Sequence, residues 1–200
     1  MAEIIKSTDK KAVQEAVRIF MSGGVVVYPT ETSYGLGGDA TSNKAVKKVI
    51  ALKKRAKTKK ISIAFSDLKM AQKYLIITKD AERLAKAFLP GPLTLVVENR
   101  VKKKVGFRIP NNKLVRSMIK KLGKPITATS ANISGEGDLY KIKDVMKIFD
   151  NKANLIIDGG NLKKRSTSTV FDVMERKILR KGPVSEKKIL SVLNAYSRPT

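Results

Sequence analysis

Apolar positions along this chain follow two spacings, one helical and one extended. Ala12, Val13, Ala16, Val17 and Phe20 recur at helical intervals before Gly23-Gly24, and predict a helix over residues 8–21. The unbroken run Val25-Val26-Val27-Tyr28 predicts a strand buried on both faces, and Pro29, with no N–H to donate, ends its ladder. Ser42 suits the cap of a second helix through residue 52, with Ala45, Val46, Val49 and Ile50 on one face. The short apolar run 61–65 predicts another buried strand, and two helices follow over 68–74 and 79–88. Pro90-Gly91-Pro92 forces a turn into a strand over 93–97. Further strands are predicted over 105–109, 126–129 and 155–157, with helices over 113–122, from the polar loop 136–141 to residue 149, and over 185–194. Residues 167–173 and 177–180 read as a hairpin turning near Met174-Glu175-Arg176. Strands alternating with helices, plus the hairpin, predict an α/β fold with a mixed sheet flanked by helices, in a single domain over residues 1–200.

Polar clusters sit at the predicted strand ends. Thr30, Thr32, Ser33 and Tyr34 supply hydroxyls and Glu31 a carboxylate, just before Gly35, Gly37 and Gly38. Such a loop is either a polar turn with incidental glycines or the ligand loop of an open α/β sheet. Residues 129–134 and Ser166-Thr167-Ser168-Thr169 repeat the pattern. Three hydroxyl clusters converging on one side of a sheet would bind phosphate or carboxylate, with charge supplied by Lys and Arg.

Charge sharpens that picture. The chain carries 42 Lys and Arg against 17 Asp and Glu, a net charge of +25. Such a surface attracts polyanions, nucleic acid among them. Lys53-Lys54-Arg55-Ala56-Lys57-Thr58-Lys59-Lys60 concentrates six cations in eight residues where the second helix ends. Alternation turns Arg108 to the opposite face from Phe107 and Ile109, and Arg180 lies at a strand end before Gly182-Pro183. Burying an arginine at such places is costly unless it meets an anion. No cysteine or histidine is present, which excludes disulfides, thiol nucleophiles and histidine bases or ligands within these residues. No P-loop and no dinucleotide fingerprint occurs. Carboxylates are few and dispersed: Glu31, Asp39 and Asp138 are candidates to help hold Mg²⁺, but none makes a dedicated metal site, so Mg²⁺ is expected on a nucleotide's phosphates. No apolar run reaches membrane-spanning length and no signal-peptide core opens the chain, so a cytoplasmic protein without membrane partners is expected.

Seven segments in order resemble the YrdC/Sua5 family: Pro29-Thr30-Glu31-Thr32-Ser33-Tyr34-Gly35-Leu36, Lys53-Lys54-Arg55, Pro90-Gly91-Pro92-Leu93-Thr94, Arg108-Ile109-Pro110, Ser130-Ala131-Asn132, Ser168-Thr169-Val170-Phe171-Asp172 and Ile178-Leu179-Arg180-Lys181-Gly182. The match covers about residues 9–190. The resemblance implies a twisted sheet around a large positively charged cleft, and a nucleotidyltransferase that joins L-threonine, bicarbonate and ATP into threonylcarbamoyl-AMP, releasing pyrophosphate. That product serves the t6A modification of tRNA through a downstream threonylcarbamoyl transferase. By the same resemblance, Thr32, Arg108, Ala128 and Ser168 border threonine. Arg55, Lys59, Ser130, Asn132, Asp138 and Arg180 attend ATP with its Mg²⁺, and Lys53 and Arg55 are the catalytic pair. The chain departs from the family pattern at Ala56, at Lys60-Ile61 where Pro-Leu is usual, at Lys59 where asparagine is usual, and at Ala64 where histidine is common. Its length is that of the short form without the C-terminal domain. Two other readings stand beside this one: a double-stranded RNA or tRNA-binding module without catalysis, and a carbamoyl-adenylate enzyme of hydrogenase maturation. The second normally needs cysteine-rich domains, which these residues do not contain.

Overall fold

The structure, a computed structural model, describes residues 1–54 and 61–195. Its elements run β1 (Glu3–Lys6), α1 (Ala12–Met21), β2 (Val26–Pro29), β3 (Tyr34–Gly37), α2 (Asn43–Leu52), β4 (Ser62–Ala64), α3 (Leu68–Tyr74), β5 (Leu75–Ile76), α4 (Lys79–Phe88), β6 (Leu93–Asn99), β7 (Lys104–Arg108), α5 (Lys113–Leu122), β8 (Ile126–Ser130), α6 (Ile142–Phe149), β9 (Leu155–Asp158), β10 (Thr169–Asp172), β11 (Lys177–Arg180) and α7 (Glu186–Asn194). The strands join one mixed sheet in the order β1-β9-β2-β3-β8-β4-β7-β6-β10-β11, with β5 beside β6. No helix among the described residues is long and apolar enough to cross a membrane.

Side-chain caps set most helix starts. Ser42, Asp67, Thr78, Asn112 and Ser185 each accept a backbone N–H three residues on. Gly123, at φ 71°, ends α5 in the left-handed conformation. α1 starts at Ala12 rather than near residue 8, because Asp9 Oδ1 accepts the Lys11 N–H at 2.8 Å and holds the preceding residues as a turn.

Three strands escape the periodicity. β1 pairs parallel with β9 over only four residues, and Ile4 on it stays exposed. β5 is two residues long. β3 is the instructive case, since its Tyr-Gly-Leu-Gly sequence reads as a loop. It forms an antiparallel hairpin with β2, pairing Tyr28 with Gly35 and Val26 with Gly37. The Tyr28 ring lies over both glycines. A Cβ at Gly35 would come within 2.7 Å of Tyr28 Cε2 and one at Gly37 within 3.0 Å of Cε1. These glycines admit a ring as well as permitting a turn.

The two halves of the sheet are covered differently. α1 and α5 pack on one face of the β9-β2-β8 half, around Phe20, Met118, Ile126 and Leu155. α2 and α6 cover its other face, around Leu36, Val49, Phe149 and Ile156. β2 is therefore buried at every position, as its valine run predicts. The β7-β6-β10 half buries Leu93, Leu95, Phe107 and Phe171 beneath α3, α4 and α7. The residues alternating with them, Thr94, Val96, Gly106, Arg108, Val170 and Asp172, line a cavity instead.

Candidate functional site

That uncovered sheet face is the floor of a cavity of about 460 Å³. Its walls are the β2–β3 turn, the end of β8, the approach to β10 and the end of β11. Thr32, Arg108, Ala128, Ser130, Ser168 and Arg180, six of the residues singled out by sequence, all line it.

The β2–β3 turn is wound around one hydroxyl. Thr30 Oγ1 donates to the Ser33 carbonyl at 2.7 Å and accepts the Thr32 and Ser33 N–H groups at 3.1 and 3.3 Å. This is the local hydrogen bonding that makes threonine a turn residue. Thr32 is held 7% exposed, its hydroxyl 3.1 Å from that of Thr30. Tyr34, one residue beyond the turn, donates to the Gly160 carbonyl at 2.7 Å and accepts the Gly159 N–H at 3.0 Å. The 158–160 loop is thereby pinned to the cavity wall.

Arg108 and Arg180 bring the charge. Arg108 donates to Glu31, and both side chains are mostly covered, at 14% and 12% exposure. One oxygen of Glu31 and Arg108 Nε stay buried without partners among the described residues. Arg180 forms no ion pair among the described residues. Its Nε and Nη2 donate to the Ser168 carbonyl at 3.1 and 2.7 Å, and Nη2 reaches the Ser168 hydroxyl at 3.2 Å. Burial holds the Arg180 pKa below the usual arginine value and Arg108 adds to that effect, while Asp138 opposes it. The Arg180 side chain, exposed at the end of β11 and meeting only neutral acceptors among the described residues, is open to an anion. Lys104, on the same floor, is neutralised by Asp172 at 2.8 Å and by Glu175.

The remaining expected residues fall elsewhere. Lys53 and Asn132 do not line the cavity. Lys53 is 2% exposed, and its ammonium donates to the Ser130 carbonyl at 2.6 Å, the Asn132 carbonyl at 2.9 Å and Asn132 Oδ1 at 2.8 Å. Its own carbonyl accepts the Ser134 N–H at 2.8 Å. Asn132 Oδ1 also accepts from the Ser130 hydroxyl at 2.7 Å, and its amide donates to the Glu136 carbonyl. A catalytic Lys53 meeting the phosphates directly is therefore corrected: the helix end turns its side chain inward, where it props the 130–134 loop that presents Ser130. Asp138 is half-buried, close enough to Arg180 to influence it, but off the cavity wall. Asp39 lies apart, bonded to Thr41 and Lys124. Arg55 and Lys59 lie outside the described residues. Among the described residues no three carboxylates gather as a metal site. Near the cavity Glu31 is committed to Arg108 and Asp172 to Lys104.

Sequence reading gave no site role to Thr94, Lys104 or Asp172, which lie on the floor. Thr94 had a signal, as the only polar residue among the five apolar-patterned positions 93–97.

Fold and site together define an α/β protein with a half-covered sheet, whose open face carries hydroxyls and guanidinium groups for an anionic ligand. A family model described as "Telomere recombination", that of Sua5, YciO and YrdC, matches residues 18–182. The chain belongs to this Sua5/YciO/YrdC family. A protein of Methanocaldococcus jannaschii is 30% identical over 196 residues, 94% of this chain and 93% of that protein; its name, threonylcarbamoyl-AMP synthase, carries a provisional qualifier. The threonylcarbamoyl-AMP synthase of Vibrio vulnificus is 29% identical over 182 residues, 85% of this chain and 98% of that protein. Among solved structures, P. abyssi Sua5 in complex with L-threonine superposes with a TM-score of 0.87 at 31% identity, covering 96% of this chain. This chain spans 61% of that Sua5 chain.

Proposed function

We propose that this protein is a threonylcarbamoyl-AMP synthase, making the adenylate from L-threonine, bicarbonate and ATP for the t6A modification of tRNA. The observation that carries the reading is the gathering of Thr32, Ser130, Ser168, Arg108 and Arg180 on one cavity from five separate places in the chain. The names of the relatives and the threonine bound by a similar Sua5 support it.

The chemistry suits a site without histidine. The threonine amine adds to bicarbonate and water leaves, giving a carbamate. The carbamate oxygen attacks the α-phosphorus of ATP, the bond to the bridging oxygen breaks, and pyrophosphate departs. The nucleophile is already an anion, so the protein's task is to align two anions and stabilise charge growing on phosphoryl oxygens. In this reading Arg108, Ser168 and Thr32 hold threonine beside the Ala128 backbone. Arg180 and Ser130 face the triphosphate, Arg55 and Lys59 are assigned to it by the family resemblance alone, and Mg²⁺ enters on the phosphates near Asp138. The adenylate then passes to a downstream transferase acting on tRNA.

The test is pyrophosphate release from ATP, Mg²⁺, bicarbonate and L-threonine. Release is expected only with all components present, and Arg180→Ala should reduce it at least a hundredfold, the scale of losing a charge-stabilising donor. Release indifferent to threonine, or none at all, overturns the reading. Retained binding of double-stranded RNA in that case would favour the non-catalytic RNA module instead.

A further inference from the structure

We propose that Thr94 is a positioning residue for the amino-acid site, acting with Ser168 as one hydroxyl donor unit. The inference rests on the threonine-binding reading above.

Thr94 is the polar interruption of an apolar strand, 3% exposed on the cavity floor. Its hydroxyl lies 3.0 Å from that of Ser168, which is also 3% exposed. Among the described residues Ser168 is its one hydrogen-bond partner. The backbone around the pair is held from several sides. β10 runs parallel to β6 with Thr169 beside Leu93 and Val170 beside Thr94. The Thr169 N–H donates to the Pro92 carbonyl at 3.0 Å, and the Thr169 hydroxyl bridges Val184 O and N at 2.8 and 3.0 Å. Rotation of the two hydroxyls is therefore the freedom left.

Counting protons decides what the pair presents. Each hydroxyl has one proton and two lone pairs, whereas a guanidinium only donates. Arg180 occupies one lone pair of the Ser168 oxygen. Of the two hydroxyl protons, one is spent between Thr94 and Ser168, whichever of them donates. The other has no acceptor among the described residues, and both hydroxyls line the cavity. Leaving it unpaired in so buried a place is costly, so the unit is built for an acceptor oxygen. The charge of Arg180 beside it favours an anionic one, such as the carboxylate of an α-amino acid. Without Thr94, Ser168 keeps its oxygen on Arg180 but loses the partner that fixes the direction of its proton.

The experiment is a double-mutant cycle on L-threonine binding, read by calorimetry, with ATP binding measured in parallel. Thr94→Val keeps the shape and removes the hydroxyl. It should weaken L-threonine binding about tenfold, the loss of a hydrogen bond to a charged group, while ATP affinity stays within about twofold. Thr94→Ser should bind threonine like the unaltered protein. The double variant with Ser168→Ala should bind no worse than Ser168→Ala alone, because the two hydroxyls act as a unit. Losses that multiply, or a Thr94→Val that weakens threonine and ATP alike, overturn the inference. Should Thr94→Val fail to fold, Thr94→Ser carries the test, and weakened threonine binding there is equally fatal. If the unaltered protein does not bind L-threonine, the failure lies in the functional reading beneath.

Discussion

Replacing Lys53 with methionine tests whether its ammonium supports a loop or meets a substrate. The side chain keeps all but its last atom and loses its charge. Three acceptors, Ser130 O, Asn132 O and Asn132 Oδ1, then lose a donor that stood at 2.6, 2.9 and 2.8 Å. An unpaired buried acceptor costs roughly 1–3 kcal/mol. The Ser130 contact is only partly buried, and water from the cavity can replace it. The two Asn132 contacts are sealed, but Oδ1 keeps the Ser130 hydroxyl as a donor, so the Asn132 carbonyl carries the gross cost of about 1–3 kcal/mol. Relief works the other way, because an apolar side chain needs no stripping of water, a penalty of several kcal/mol for a buried ammonium. The three carbonyl oxygens already offset most of that penalty, leaving a net loss of about 1–2 kcal/mol. In a chain of 200 residues this lowers Tm by about 2–8 °C. Thermal unfolding followed by circular dichroism measures it, and calorimetry follows ATP. Both should fall, since the loop presenting Ser130 loses its prop. An unchanged Tm with abolished ATP binding would refute the argument, because the ammonium would then be serving the nucleotide and not the loop.

Two further outcomes follow from the same geometry. A Cβ at Gly182 would stand 2.4 Å from Thr169 N, 2.5 Å from Thr167 O and 2.8 Å from the Ser168 carbonyl carbon, all backbone. Gly182→Ala should therefore cost about 1–3 kcal/mol, part Arg180 from Ser168 and weaken ATP binding; an unshifted melting temperature contradicts it. Burial pushes the Asp172 carboxyl up, but Lys104 and the N–H groups of Glu175 and Met174 outweigh it and hold its pKa below the usual 3.8. A depressed carboxylate adds stability that is present above its unfolded value and lost as pH falls through the folded one. Urea midpoints should thus fall more steeply below about pH 4 for the unaltered protein than for Asp172→Asn, and parallel acid limbs would speak against this.

Local physics made much of the fold readable from the chain alone. The helices with Ser, Asp, Thr or Asn before an apolar stripe carry their own start signals, and the Met174-Glu175-Arg176 turn of the last hairpin was legible. So was the inward run of β2. The family resemblance also named six residues that do meet on one cavity. What they do not encode is which way a side chain turns once distant segments pack. Lys53 follows a helix like any solvated lysine, yet three oxygens 77 and 79 positions away draw it inward. Tyr34-Gly35-Leu36-Gly37 has no strand periodicity, and becomes a strand because the Tyr28 ring needs the space its glycines leave.

The sequence by itself determined the α/β alternation, the capped helices and the supply of hydroxyl and guanidinium groups, since each depends on residues a few positions apart. Only the tertiary structure decided which half of the sheet stays uncovered, which of those groups face the cavity and which lie beneath it. Those outcomes depend on helix packing and on hydrogen bonds between residues far apart in the chain, where local spacing carries no information.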